Sequence, residues 1–166
     1  MNYRILFFLA FLLAGSNLTL AQDTVKATTL APAPEAELYY NSGTTKFNAK
    51  QYADALADFN KSIELKPDFE KAYYNRGLAK IELLMNKSAI DDFSKSIELN
   101  PAADYAYYSR GQAKETEKDL KGAAEDYANA IRINPRNDKA FYHSGVIKFG
   151  NADYKGAISD FDQAIM

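Results

Sequence analysis

Four aspartates, Asp58, Asp92, Asp126 and Asp160, recur at an interval of 34 residues, and Lys46, Lys80, Lys114 and Lys148 recur in step with them. A carboxylate beside an ammonium group is a pairing that acid–base chemistry can use. The competing reading is an ion pair across a helix hairpin, for example Arg76 with Asp92, repeated for structural reasons. Active-site groups do not usually recur in every copy of a repeat, which favours the ion pair. The other chemical candidates are few. His143 is the sole histidine and there is no cysteine, so no second soft ligand or nucleophile completes a metal site or a catalytic dyad. Gly43, Gly77, Gly111 and Gly145 each stand alone in a helical pattern, which is no phosphate-binding loop. These residues point to no catalytic group, no metal and no cofactor. His143 reads as a polar residue at the edge of a surface.

What positions such columns is the repeat itself. "AYYNRG" at residues 72–77 returns as "AYYSRG" at 106–111, with "LYYNSG" at 38–43 and "AFYHSG" at 140–145. Setting the register at Ala36, Glu70, Asp104 and Asp138 aligns the remainder without an insertion. The glycines form one column; Ala55, Ala89, Ala123 and Ala157 form a second; Phe59, Phe93, Tyr127 and Phe161 form a third; Pro67, Pro101 and Pro135 form a fourth. Each copy holds two stretches with apolar residues three and four apart, the signal of an amphipathic helix. In the second copy these run over about Lys71 to Leu84 and Lys87 to Leu99. Glycine and alanine lack bulk, so two antiparallel helices can approach closely there, and the aromatic column fills the volume beside them. Proline ends the second helix, and Asp104 and Asp138 are expected to cap the next one. One hairpin cannot bury both its faces, so the copies must stack.

These columns resemble the tetratricopeptide repeat family, whose pattern sets a large aromatic, Leu-Gly, Tyr, Ala, an aromatic, a small residue and Pro within about 34 residues. Here the first aromatic is Tyr39, Tyr73, Tyr107 or Phe141, and the small residue is Ser62, Ser96, Ala130 or Ala164. Two departures recur in register: Ser42, Arg76, Arg110 or Ser144 replaces the Leu, and a lysine replaces the Tyr. Those lysines are expected to lay their stems along the helix pair and lift the charge outward. The resemblance implies an all-α fold, a right-handed superhelical solenoid of antiparallel helix pairs. Its repeats would span 36–69, 70–103, 104–137 and an incomplete 138–166. It also implies a non-catalytic scaffold that binds a protein or peptide in a concave groove lined by the first helix of each repeat. Carried onto this chain, the groove includes Tyr40, Tyr74, Tyr108 and Tyr142, then Thr44, Leu78, Gln112 and Val146, then Phe47, Ile81, Glu115 and Phe149. Tyrosine is favoured at interfaces. The alternative is that these tyrosines pack against their own neighbours. Tyr40 and Thr44 occupy the positions of the lysine and asparagine with which co-chaperone members grip a C-terminal carboxylate, which argues against that clamp.

The flanks carry separate expectations. Arg4, the apolar run Ile5 to Ala14 and small residues at Thr19 and Ala21 fit a secretory signal over residues 1–21. The run is shorter than the roughly 18–20 residues of a membrane span, so the chain reads as exported, periplasmic or secreted, with no span after cleavage. "QDTVKATTLAPAPE", residues 22–35, reads as a flexible tether. With a net charge of −2 and lysines interleaved with acids, nothing draws the chain to nucleic acid. Leu84 and Met85 interrupt turns that are otherwise polar, and either pack beneath the turn or form a contact patch. Ile158, Ile165 and Met166 lie where a next repeat would pack. They are expected to form a self-association end, through which the chain would make a homodimer or a structural envelope assembly, or to dock a separate protein; the alternative is a short C-terminus that frays or a truncated chain.

Overall fold

In the computed structural model, which describes residues 32–166, every regular element is an α-helix. The expected signal and the tether residues 22–31 lie outside the described residues. α1 (Pro32–Asn48) and α2 (Tyr52–Leu65) form the first pair, α3 (Glu70–Glu82) and α4 (Asn86–Leu99) the second. α5 (Asp104–Thr116) pairs with α6 (Leu120–Ile133), and α7 (Asp138–Gly150) with α8 (Tyr154–Ile165). Each helix packs chiefly on its neighbours in sequence, as a solenoid requires, and α1 also reaches α3 and α3 reaches α5. The odd helices therefore line the inner wall and the even helices the outer one. Among the described residues no helix is long and apolar enough to cross a membrane.

Local chemistry sets the helix ends. α1 begins at Pro32, so residues 32–35 belong to the helix rather than to the expected tether. Proline suits a first helical turn because its missing N–H has no partner there, and Glu35 complements the positive helix terminus. Each first helix closes on a left-handed residue: Lys50, Leu84, Lys118 and Ala152 have φ between 61° and 68°. The backbone bonds Leu84 N to Ile81 O and Met85 N to Lys80 O complete the reversal in the second pair, and the other three pairs repeat them. Each left-handed residue is exposed. Leu84 is 86% exposed and Met85 is exposed too, so this pair forms a surface patch and does not pack beneath the turn. Before each proline, Lys66, Asn100 and Asn134 take ψ values of 87° to 92°, the conformation that a following proline imposes.

The expected caps at Asp104 and Asp138 are shifted by one residue. Ala103 and Asn137 hold the cap positions, and the Asn137 side chain accepts from Ala140 N at 3.0 Å. Asp104, already inside α5, instead accepts from the side-chain amides of Asn134 (2.8 Å) and Asn137 (3.3 Å), joining the third pair to the fourth.

The core is a chain of small clusters along the junctions between pairs, two of them between the second and third pairs. Within a pair, an aromatic ring on the second helix sits against the bare backbone of a glycine on the first. A β-carbon at Gly77 would lie 2.6 Å from Phe93 Cε1, and at Gly111 2.7 Å from Tyr127 Cε1. Between pairs, Ile97 packs with Ala103 and Ala106, and Ile131 packs onto the cluster of Ala130 and Ala140. Their counterpart on α8, Ile165, has no such cover among the described residues and is 83% exposed, and Ile158, the counterpart of Ile90, is 61% exposed.

The glycine column carries a direct test. Alanine is the better helix former by about 1 kcal/mol, but a methyl at Gly77 drives into a fully buried ring, and overpacking of that kind costs about 1–3 kcal/mol. Gly77→Ala should therefore lower stability by up to about 2 kcal/mol in chemical denaturation with helicity retained. A gain in stability would show that the close contact yields freely.

Candidate binding groove

The aspartate column lies in the hairpins, and its chemistry is used up there. Arg76 grips Asp92 with a two-pronged contact, Nε to Oδ2 at 2.9 Å and Nη2 to Oδ1 at 2.6 Å, while Lys80 Nζ approaches Oδ2 at 2.7 Å. Arg110, Lys114 and Asp126 repeat the arrangement at 2.9, 2.6 and 2.8 Å. In the first and last pairs a serine replaces the arginine: Ser42 donates to Asp58 and Ser144 to Asp160, each at 2.6 Å, beside Lys46 and Lys148. Burial would raise the Asp58 pKa, but the hydrogen bonds from Lys46 and Ser42 outweigh it and hold the group below its ordinary value. The lysines therefore do not lift their charges outward, as the sequence had suggested. A buried carboxylate without a partner is costly, and an ammonium on a flexible stem is the nearest source of charge. The remaining guanidinium nitrogen of each arginine ties neighbouring pairs together. Arg76 Nη1 reaches Asn60 at 2.8 Å and Arg110 Nη1 reaches Ser94 at 3.0 Å.

On the inner wall the tyrosine column does two jobs. Tyr40 packs on Phe59 and Phe69, with ring centroids 6.1 and 4.9 Å away, and its hydroxyl accepts from Asn75 at 3.1 Å. Tyr74 lies on Phe93 and edge-on to Tyr105 at 4.7 Å, with its hydroxyl 3.4 Å from Ser109. Tyr108 packs on Tyr127 and His143. These three are half-buried mortar between repeats. Burial, the first cause in each case, raises the pKa of Tyr74 and Tyr108, so both remain neutral. Tyr142, at the last repeat, is exposed.

Below the tyrosines the wall opens. Leu78, Ile81 and Gln112 line one cavity of about 210 Å³ with Phe93, Ser109, Ala113 and Thr116. Gln112 and Thr116 continue into a second cavity of about 430 Å³ with Glu115, Lys118 and His143. Phe47 lies apart from both, edge-on to Tyr52 at the N-terminal end, and Phe149 is exposed beside Tyr154 at the other. Thr116, Ser109 and Lys118 were not expected from the sequence. Thr116 directly follows Glu115 on the same turn, which is the signal that a wider helical face would have caught. Lys118 belongs to a turn, whose direction no helical period reveals.

The buried carboxylates generate the second test. Asp126→Ala removes the shared acceptor of Arg110 and Lys114 and should cost about 3 kcal/mol in urea unfolding. Asp126→Asn, which keeps an acceptor, should cost less.

Comparison with known proteins agrees with this architecture. A family model described as "TPR repeat" matches residues 43–83, and one described as "Tetratricopeptide repeat" matches 70–102 and 104–137. No curated protein matches the chain in sequence. Among solved structures, MamA superposes with a TM-score of 0.76 at 26% identity, over 80% of this chain and 78% of MamA. The Arabidopsis OM64 TPR domain superposes with a TM-score of 0.70 at 25% identity, over 72% of this chain and 98% of that domain. The first TPR of Spaghetti (RPAP3), solved bound to an HSP90 peptide, has a TM-score of 0.70 at 24% identity over 72% and 95% of the two chains, a likeness of fold.

Proposed function

We propose that this chain, a protein built of tetratricopeptide repeats, is a non-catalytic scaffold that holds an extended peptide segment of a partner protein against its inner wall. One observation carries the reading. The recurrent charged groups are occupied by one another inside the hairpins, whereas the inner wall offers two adjoining cavities, one floored by Leu78, Ile81, Phe93 and Ala113 and the other lined by polar side chains. Such a wall suits backbone amides and alternate side chains of an extended segment. The HSP90-peptide complex of a protein with this fold supports the same use of the scaffold. The N-terminal apolar run supports export, to a periplasmic or extracellular setting, after removal of residues 1–21.

Selection of a randomised peptide library on the full chain tests the groove. Peptides that bind it should lose at least tenfold in affinity to Gln112→Arg, which points into the cavities. They should bind unchanged to Glu125→Arg on the outer helix α6. Equal losses at both positions, or at neither, remove the groove from the account.

A second reading rests on the open face of α8. In the second pair, Ile90 and Ile97 pack in clusters with Ala113 and Ala106 of the next helix and its cap residue Ala103, whereas Ile158 and Ile165 are exposed. Self-association through this face, in a homodimer or an envelope assembly, would cover them. Sedimentation of the full chain at micromolar concentration should then show a dimer, and Ile158→Glu should return it to monomer with helicity intact. A strict monomer ends this reading.

A further inference from the structure

Three side chains depart from the pattern of their columns, and they meet at one point. Glu115 stands where the other copies have Phe47, Ile81 and Phe149; Tyr127 stands where they have Phe59, Phe93 and Phe161; His143 stands where they have Asn41, Asn75 and Ser109. They come from α5, α6 and α7 respectively. Tyr127 Oη donates to Glu115 Oε2 at 2.7 Å, and His143 Nδ1 lies 3.0 Å from the same oxygen. The His143 ring stacks on Tyr127 with centroids 5.2 Å apart.

Packing alone does not call for this arrangement. Phenylalanine meets the same glycine contact in the other three pairs, and apolar groups fill the Glu115 position elsewhere. What the trio achieves is a fixed carboxylate. Tyr127 is wholly buried, and burial together with Glu115 raises its pKa, so it remains a neutral donor. With Oε2 pinned from two sides, Oε1 has no hydrogen-bond partner among the described residues and belongs to a group that lines the 430 Å³ cavity. Lys118 lines the same cavity from an exposed turn and makes no ion pair with Glu115 among the described residues. Of the two charges, the carboxylate is the pre-ordered one, and pre-ordered groups lose least on binding.

We propose that Glu115 is the specificity determinant of the groove. It receives the guanidinium or ammonium of a basic side chain on the bound peptide. An aliphatic side chain two residues away occupies the adjoining cavity among Leu78, Ile81 and Ala113. Alternate residues of an extended segment face the same way about 7 Å apart, which suits two cavities that share Gln112 and Thr116. Tyr127 and His143 are positioning residues that act through the carboxylate. The proposal rests on the groove reading above and adds the chemistry of the partner.

The test is a phage-displayed random peptide library selected in parallel on the full chain and on its Glu115→Gln, Glu115→Lys and Tyr127→Phe variants. The native chain should enrich peptides with arginine or lysine two residues from an aliphatic residue. Glu115→Gln should lose that enrichment, and Glu115→Lys should replace it with an acidic one. An enriched peptide resynthesised with citrulline for arginine should bind the native chain about tenfold more weakly, the scale of one charge-assisted bond. It should bind Glu115→Gln within about twofold of the parent peptide. Tyr127→Phe restores the residue of the other copies, so its thermal midpoint should hold while the arginine preference shrinks severalfold. A purely structural trio would move the midpoint and leave the preference alone, which overturns the proposal. A basic preference that persists in Glu115→Gln, or enrichment of acidic residues on the native chain, overturns it as well and leaves the groove standing. Peptides that ignore Gln112→Arg bring down both.

Discussion

The stack depends on one contact made in each hairpin: an aromatic ring lying on helix backbone where a side chain is missing. Glycine in mid-helix costs about 1 kcal/mol against alanine, and the chain accepts that at Gly43, Gly77, Gly111 and Gly145 because a ring fills the space each one leaves. The ring sets the distance between the two helices, and so sets where every other column points. With that distance held, Ala55, Ala89, Ala123 and Ala157 are buried at the crossings. Tyr40, Tyr74 and Tyr108 reach the aromatic of their own pair and a residue of the next.

Close approach also explains the charges. Drawing the helices together buries the aspartate that precedes each ring, and a buried carboxylate must be satisfied on the spot. Arginine does this with two prongs in the middle pairs, where a third prong links to the preceding pair. Serine and lysine suffice at the ends of the stack. Residues whose types suggested catalysis are thus spent on holding the hairpins. The inner wall, freed of that duty, is the surface proposed here for a partner, with the fixed Glu115 carboxylate giving it a sign.

Much of this was legible in the chain because a repeat states each rule several times. Column spacing identified the helix pairs, the glycine–aromatic contact and the pairing of Arg76 with Asp92, since helical periodicity ties sequence distance to direction in space. Direction failed where a side chain is long or a turn intervenes. The lysine column turned inward and the caps moved to Ala103 and Asn137, while for Leu84, which the sequence left open, the left-handed turn decided in favour of exposure.

The sequence by itself determined the architecture, because a small residue, a ring and a proline at fixed spacing admit one way of packing a helix hairpin on its neighbour. Only the tertiary structure decided which side of each helix retains unfilled volume. It alone brought Glu115, Tyr127 and His143 together from three helices of two repeats. Periodicity describes one helix at a time. A meeting of three depends on how successive pairs are rotated against each other, and that rotation is a property of the assembled stack.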